Sequence, residues 1–175
     1  MEMGKKALII TGKNVQDHEF IYPYYRLKEA GFNVIVALKD KEKTTGILGT
    51  KIPCDDECEI ISYEEIEFYD NKYKFDCLVL PGGAKCMEYL RREQLVLDCI
   101  KRFDEQKRSI FSICHGAQLL ISAKIVKGRT IAGYYSIKDD IINAGAEYSD
   151  TIAIDKNIIS ASHYKHLGEW SGKWR

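Results

Sequence analysis

The chain has 175 residues, 45% of them hydrophobic and 30% charged, and its 26 Lys and Arg balance 26 Asp and Glu to a formal net charge of zero. That length suits one domain with a real core, and the mixture argues against a disordered or membrane-embedded chain. Nucleic acid and anionic lipid are excluded as main partners because both demand a surplus of basic residues, and six cysteines are too few for a disulfide scaffold.

Met1 to Lys6 is followed only by the short apolar run Ala7–Ile10, too short for a signal-peptide core or a membrane span. A reduced, cytoplasmic protein is the expectation. Lys6–Thr11 reads as a buried strand, and Asp17–Ala30 as a helix with Phe20, Tyr24 and Leu27 on one face and Gly31 as its stop. Pro23 in its second turn predicts a kink or a late start. Asn33–Leu38 is a second strand. In the irregular stretch from Lys39 to Tyr73, Gly46 and Gly49 bracket a hairpin, and Ser62–Phe68 is expected as a short helix opened by Ser62 with Glu65 three residues on. Phe75–Leu80 is another strand, stopped by Pro81-Gly82-Gly83. Two helices follow; the second, Glu93–Glu105, carries Leu95, Cys99 and Phe103 at four-residue spacing. Ser109–Cys114 then leads without a linker into a helical His115–Lys124, and Thr130–Gly133, Ile137–Asn143 and Ile152–Ile159 complete the pattern. Apolar runs alternating with amphipathic ones predict a single doubly wound α/β domain over residues 1–175, a parallel sheet flanked by helices.

The chemistry concentrates in Ile110–Ala123 (IFSICHGAQLLISA). A strand that ends at Cys114 and a helix that begins at once form a nucleophile elbow, with Ser112 and Gly116 as the small flanking residues such a bend requires. A thiol there faces the free N–H groups of the new helix, which favour a thiolate and predict a lowered pKa. A buried core cysteine is the alternative. His115 offers a general base or a cation beside the thiolate, against a plain helix-start residue; adjacent helical residues do not face each other, so the pair works only if the bend turns both to one cavity. In an open α/β sheet that cavity lies beyond the carboxyl ends of the strands, so Gly12–Glu19 and Pro81-Gly82-Gly83 are the neighbours to expect. The glycine pair suits either an oxyanion hole or an ordinary turn.

These residues resemble the ThiJ/PfpI family of the class I glutamine amidotransferase-like superfamily. The resemblance runs from residue 5 to about residue 160 through Glu19-Phe20-Ile21-Tyr22-Pro23, Phe75–Gly83, Ile113-Cys114-His115-Gly116 with Gln118–Ala123, and Gly128-Arg129. Ile137–Ala146 is similar to the intracellular protease branch. The family implies a flavodoxin-like fold, Cys114 as nucleophile, His115 as catalytic histidine, and Glu19 as a protonated carboxyl that tunes the thiol. It also implies an oxyanion hole from backbone N–H groups near Gly83 and His115, with Gly82 and Tyr134 as substrate-binding positions. In its oligomeric proteases a glutamate of a neighbouring subunit orients the histidine, and Glu88 is the match here, so a homodimer or higher oligomer is expected. Ala84–Tyr89 is one residue longer than the corresponding family segment, Ala117 stands where proline is common, and Ser162, Tyr164 and His166 replace an Arg, a Pro and an Asp.

No cofactor and no metal are expected: Cys54-x-x-x-Cys58 and His163-x-x-His166 lack structural-zinc spacing, and Gly12-Lys13 lacks the earlier glycine of a phosphate loop. His166-Leu167-Gly168-Glu169 has one residue more than the His-x-Glu of true glutamine amidotransferases. The reading is a cysteine-nucleophile enzyme acting on a small carbonyl or peptide substrate, either a peptidase/amidase or a glyoxalase/deglycase working on methylglyoxal adducts. The alternative is a non-enzymatic redox-sensing or chaperone-like stress protein in which Cys114 is oxidised. Cys77 and Cys99 read as core packing; Cys54, Cys58 and Cys86 have no assignment.

Overall fold

A computed structural model describes residues 4–173. In chain order the elements are β1 (Lys6–Ile10), α1 (Asp17–Glu29), β2 (Asn33–Ala37), β3 (Thr44–Thr45), β4 (Lys51–Ile52), β5 (Glu59–Ile61), α2 (Ile66–Tyr73) and β6 (Cys77–Leu80). They continue with α3 (Ala84–Leu90), α4 (Gln94–Glu105), β7 (Ser109–Ile113), α5 (Ala117–Ser122), β8 (Thr130–Ala132), α6 (Lys138–Asn143), β9 (Glu147–Ser149), β10 (Ile152–Asp155), β11 (Ile158–Ala161) and α7 (Leu167–Ser171).

The central sheet has seven strands in the order β10-β11-β7-β6-β1-β2-β5. Every pairing in it is parallel except β10 with β11. The central strands are nearly continuous apolar runs because helices cover both faces, as the burial of every residue of β6 and of four of the five in β1 and β7 requires. This is the doubly wound architecture expected from the alternation of apolar and amphipathic segments, in the flavodoxin-like form that the family resemblance implies. Neighbours β1, β6 and β7 all point their carboxyl ends to one edge, and the loops after them meet there. Among the described residues no helix is long and apolar enough to cross a membrane.

Several elements differ from the sequence reading. The first helix begins at Asp17, before Pro23, because the Gln16 side chain accepts the N–H groups of His18 and Glu19 and caps it there. The helix expected at Ser62–Phe68 is shifted to Ile66–Tyr73: Glu65 does reach back to the Ser62 N–H at 2.8 Å, but residues 62–65 close a turn before the helix starts. On α4 the core face is Val96, Cys99, Ile100 and Phe103, whereas Leu95 is 46% exposed. Strict four-residue spacing drifts off a 3.6-residue face, so only two of the three expected positions point inward. The run Ile152–Ile159 divides into two antiparallel strands, because Lys156 at φ 54° turns the chain back on itself. The hairpin around Gly46 and Gly49 is present as β3 and β4.

One buried ion pair ties α2 to the strand before the elbow. Asp70, 6% exposed, accepts from Arg108 Nη1 at 2.7 Å and Nη2 at 2.8 Å and from the Phe75 N–H at 3.3 Å. Burial pushes this carboxyl up, but the Arg108 hydrogen bonds and charge, the Phe75 N–H and Arg102 outweigh it and hold it below its ordinary value. Asp70→Ala strands Arg108 beside the ring of Phe103 and is expected to cost about 3 kcal/mol in urea denaturation at neutral pH. In the unmutated chain the contribution is complete above the unfolded carboxyl value of about 4 and is lost as pH falls through the lower folded value, so the two proteins should converge in stability at low pH.

Candidate active site

The bend between β7 and α5 is the strained point of the sheet edge. Ile113 still has extended backbone, and Cys114 then takes φ 59°, a left-handed conformation that costs a non-glycine residue energy. A short 3-10 turn over Cys114–Gly116 precedes α5, so the chain enters the helix through a tighter coil than a direct strand-to-helix step. Gly116 is obligatory in this packing, since a Cβ there would collide with the Leu80 carbonyl oxygen at the end of β6. Cys114 as a residue is only 6% exposed. The bend also brings His115 onto the same cavity as Cys114: its Nδ1 lies 3.4 Å from the cysteine Sγ, a contact two adjacent residues of a regular helix could not make.

Glu19, in the first turn of α1, is completely buried beneath this bend. Its Oε2 accepts the Gly82 N–H at 2.7 Å, whereas Oε1 has no ordinary hydrogen-bond partner and the carboxyl's other neighbour is Cys114. Burial pushes this carboxyl up to about 8, against the opposing effect of the Gly82 N–H and the thiol. Glu19 is therefore a neutral acid at pH 7. Burial, and then the Glu19 charge and hydrogen bond, push the Cys114 thiol up as well; only the His115 backbone N–H pulls it down. This differs from the lowered value that the helix start alone predicts. The two groups titrate together, each raised by burial, and the carboxyl raises the thiol only while it is itself charged. A proton on Glu19 removes that repulsion and lets the carboxyl donate to the sulfur once the thiol has lost its own proton.

The remaining expected positions fall at different distances from the chemistry. Gly82 spends its N–H on Glu19, and a Cβ there would meet Glu19 Oε2 at 2.6 Å, the Ile113 carbonyl at 2.8 Å and the His115 N–H at 2.9 Å. It therefore holds the acid in place and lets three elements close on it. Gly83 caps α3 at φ 107°. The Tyr134 ring lies 5.0 Å from that of His115, and its N–H donates to the Cys114 carbonyl at 3.2 Å, so it walls the site. Glu88 is not brought to His115 within the chain: its side chain is 63% exposed and pairs with Lys85 at 3.5 Å on α3.

Ser136 carried no signal in the sequence reading, and His163 entered it only as part of a rejected zinc spacing. Ser136 Oγ lies 3.2 Å from His115 Nε2, and the ring of His163 packs 5.8 Å from that of Tyr134. Both lie outside the elbow motif and reach it only through folding. A cavity of about 680 Å³ opens over the ends of β1 and β2, lined by Lys13, Lys39, Tyr63, Cys86 and Glu93 among others, but Glu19, Cys114 and His115 do not line it. Burial pushes the thiols of Cys77, Cys86 and Cys99 up to about 12, and no charged group opposes it strongly. Among the described residues no three His, Cys, Asp or Glu side chains are grouped as metal ligands.

The sequence profile of the DJ-1/PfpI family matches residues 5–174. The chain is 36% identical over 166 residues to Deglycase PfpI of Pyrococcus furiosus, with 94% of each covered. It is 34% identical over 161 residues to YraA of Bacillus subtilis, named as a candidate cysteine protease, covering 91% of this chain and 89% of that one. Among solved structures, DJ-1beta of Drosophila melanogaster superposes with a TM-score of 0.84 at 26% identity, covering 97% of this chain and 87% of that one. With the match running through nearly the whole of this chain and of each relative, the chain belongs to the DJ-1/PfpI family.

Proposed function

We propose that the chain is a cysteine-nucleophile enzyme of the glyoxalase/deglycase kind, acting on small α-oxoaldehyde carbonyls and their adducts with amines and thiols. The observation that carries this reading is the neutral, completely buried Glu19 carboxyl set against Cys114, a residue itself only 6% exposed. A peptide substrate needs an open groove along the nucleophile; a two-carbon carbonyl needs only a narrow mouth and a group that carries a proton between adjacent carbons. Relatives named deglycases support the same choice.

For methylglyoxal, the Cys114 sulfur adds to the aldehyde carbon, and the developing oxyanion meets the N–H groups of Gly83 and His115. Glu19 gives its proton to the neighbouring ketone oxygen, and the carboxylate so formed takes the proton of the first carbon to leave an enediol. Passing that proton to the second carbon and recovering one from the first hydroxyl oxidises the first carbon and reduces the second. The product is a lactoyl thioester. Water releases lactate and regenerates the thiol, so methylglyoxal plus water gives lactic acid with no external oxidant. An amine adduct follows the same course and liberates the free amine. Tyr134 walls the substrate, and Glu88 has access to His115 only from a second copy of the chain.

The test is turnover of methylglyoxal and of methylglyoxal-treated Nα-acetylcysteine, alongside a fluorogenic peptide. Lactate release from the first two, with the peptide at least about tenfold slower in kcat/KM, is expected. Peptide cleavage without lactate would move the assignment to a peptidase; no turnover of any of them would favour oxidation of Cys114 as the function.

A further inference from the structure

His115 has two ring partners, one on each nitrogen: Cys114 Sγ at 3.4 Å from Nδ1 and Ser136 Oγ at 3.2 Å from Nε2. The second partner is built into the elbow from a distance in sequence. The Tyr134 N–H donates to the Cys114 carbonyl at 3.2 Å, and the Ile137 N–H donates to the Tyr134 carbonyl at 3.0 Å, closing a 3-10 turn over Tyr135–Ile137. That turn carries the Ser136 hydroxyl to the far side of the imidazole, while the Tyr134 ring packs against the ring's face. Ser136 itself is exposed, so the hydroxyl connects the histidine to solvent.

We propose that Ser136 is the positioning residue of the site, holding His115 with its proton on Nε2 so that the Nδ1 lone pair faces the Cys114 thiol. This rests on Cys114 being the nucleophile. As the sulfur–carbon bond forms, the thiol proton passes to Nδ1; the imidazolium keeps its Nε2 proton on the Ser136 oxygen, and Nδ1 returns the other proton to the oxyanion. Nothing is oxidised in that exchange. A hydroxyl differs from a carboxylate in this place because it orients the ring without stabilising a positive charge on it. Burial already holds His115 below its ordinary value. The groups around the ring are Cys114, Ser136 and Tyr134, with Glu19 beyond the thiol and Tyr135 and His163 beyond Tyr134. The histidine therefore rests neutral, ready to accept.

Ser136→Ala, Ser136→Thr and Ser136→Asp test the assignment. Ser136→Ala is expected to lower kcat about tenfold, the worth of one lost hydrogen bond, with KM within about twofold. Ser136→Thr is expected to keep most of the activity, and Ser136→Asp to move the acidic limb of the pH profile to higher pH. Nitrogen-15 spectra of histidine-labelled protein should show the Nε2–H form of His115 in the unmutated chain and a mixture of tautomers in Ser136→Ala. An unchanged tautomer and kcat in Ser136→Ala, or a loss in Ser136→Thr as large as in Ser136→Ala, overturns the proposal. The spectra need no turnover. They therefore judge Ser136 even if the carbonyl chemistry fails, while activity surviving in Cys114→Ser would sink the nucleophile and leave the spectra unaltered.

Discussion

Cys114→Ser is expected to lower kcat/KM on methylglyoxal by a factor on the order of 10⁴ or more, with the fold intact. The two side chains are nearly isosteric, so the backbone at φ 59° and the contacts of the elbow have no reason to change. What changes is the nucleophile. A serine hydroxyl surrenders its proton far less readily than a thiol, and the same burial that pushes Cys114 up pushes an alkoxide up further. The serine variant would keep its oxyanion donors and its Glu19, so any residual rate measures what those groups do without covalent attack. Steady-state kinetics beside a thermal melt decide the matter: a serine enzyme within tenfold of the unmutated one would mean that sulfur does not carry the reaction.

Glu19→Gln is expected to slow turnover by about 10² to 10³-fold and at the same time to make the protein more stable at alkaline pH. The first effect follows from removing the acid that, in the proposed reaction, carries a proton between substrate carbons. The second follows from where the carboxyl sits. Burial raises it to about 8, so the folded chain holds this proton more tightly than the unfolded chain, whose carboxyl titrates at about 4.3. The stability that the protonated acid contributes is complete below the unfolded value and disappears as pH rises through about 8. Each unit of separation corresponds to about 1.4 kcal/mol. The glutamine amide has no such titration. Denaturation in urea at pH 5 and pH 9 should therefore show the variant gaining on the unmutated protein by several kcal/mol between the two. A difference that stays flat across that range would show the carboxylate to be charged in the folded protein throughout. Loss of activity combined with a gain in stability separates this residue from a merely structural one, whose removal lowers both.

The unequal fate of the six cysteines follows from the same physics. Cys77, Cys86 and Cys99 are buried with little beside them to favour a thiolate, and Cys54 and Cys58 are half-buried on the surface. Cys86 lines a sizeable cavity, but nothing there matches the arrangement around Cys114, where a histidine nitrogen, a carboxyl and a helix start converge on one sulfur. Composition alone treats these thiols as equivalent. Their chemistry diverges because desolvation and the nearest charge differ at each.

Much of the architecture was legible from the chain because it rests on local regularities. Ala7–Ile10 and Cys77–Leu80 are apolar without interruption, which only a strand covered on both faces tolerates. Phe20, Tyr24 and Leu27 return at helical spacing, and all three are buried. The elbow was legible for the same reason, since the end of a strand, a small residue and the start of a helix are neighbours in sequence. Errors arose where local signals were weak or competed: the start of α2, where a turn took the capping residues, and the reversal at Lys156, where only the three polar residues Asp155-Lys156-Asn157 separate two apolar runs.

By itself, then, the amino-acid sequence determined a doubly wound sheet with a cysteine at the end of one of its central strands, because hydrogen-bond periodicity and apolar patterning act over a few residues. Only the tertiary structure decided how that cysteine behaves. Gly82 holds Glu19 across 63 residues, Ser136 reaches His115 across 21, and Glu88 stays with Lys85 on its own helix. The local rule of a helix start predicted an easily ionised thiol; burial pushes it the other way, and an acid brought in from α1 couples its proton to that of a second group. Electrostatic energies depend on separation through space and on exclusion of water, and neither is a property of adjacent residues.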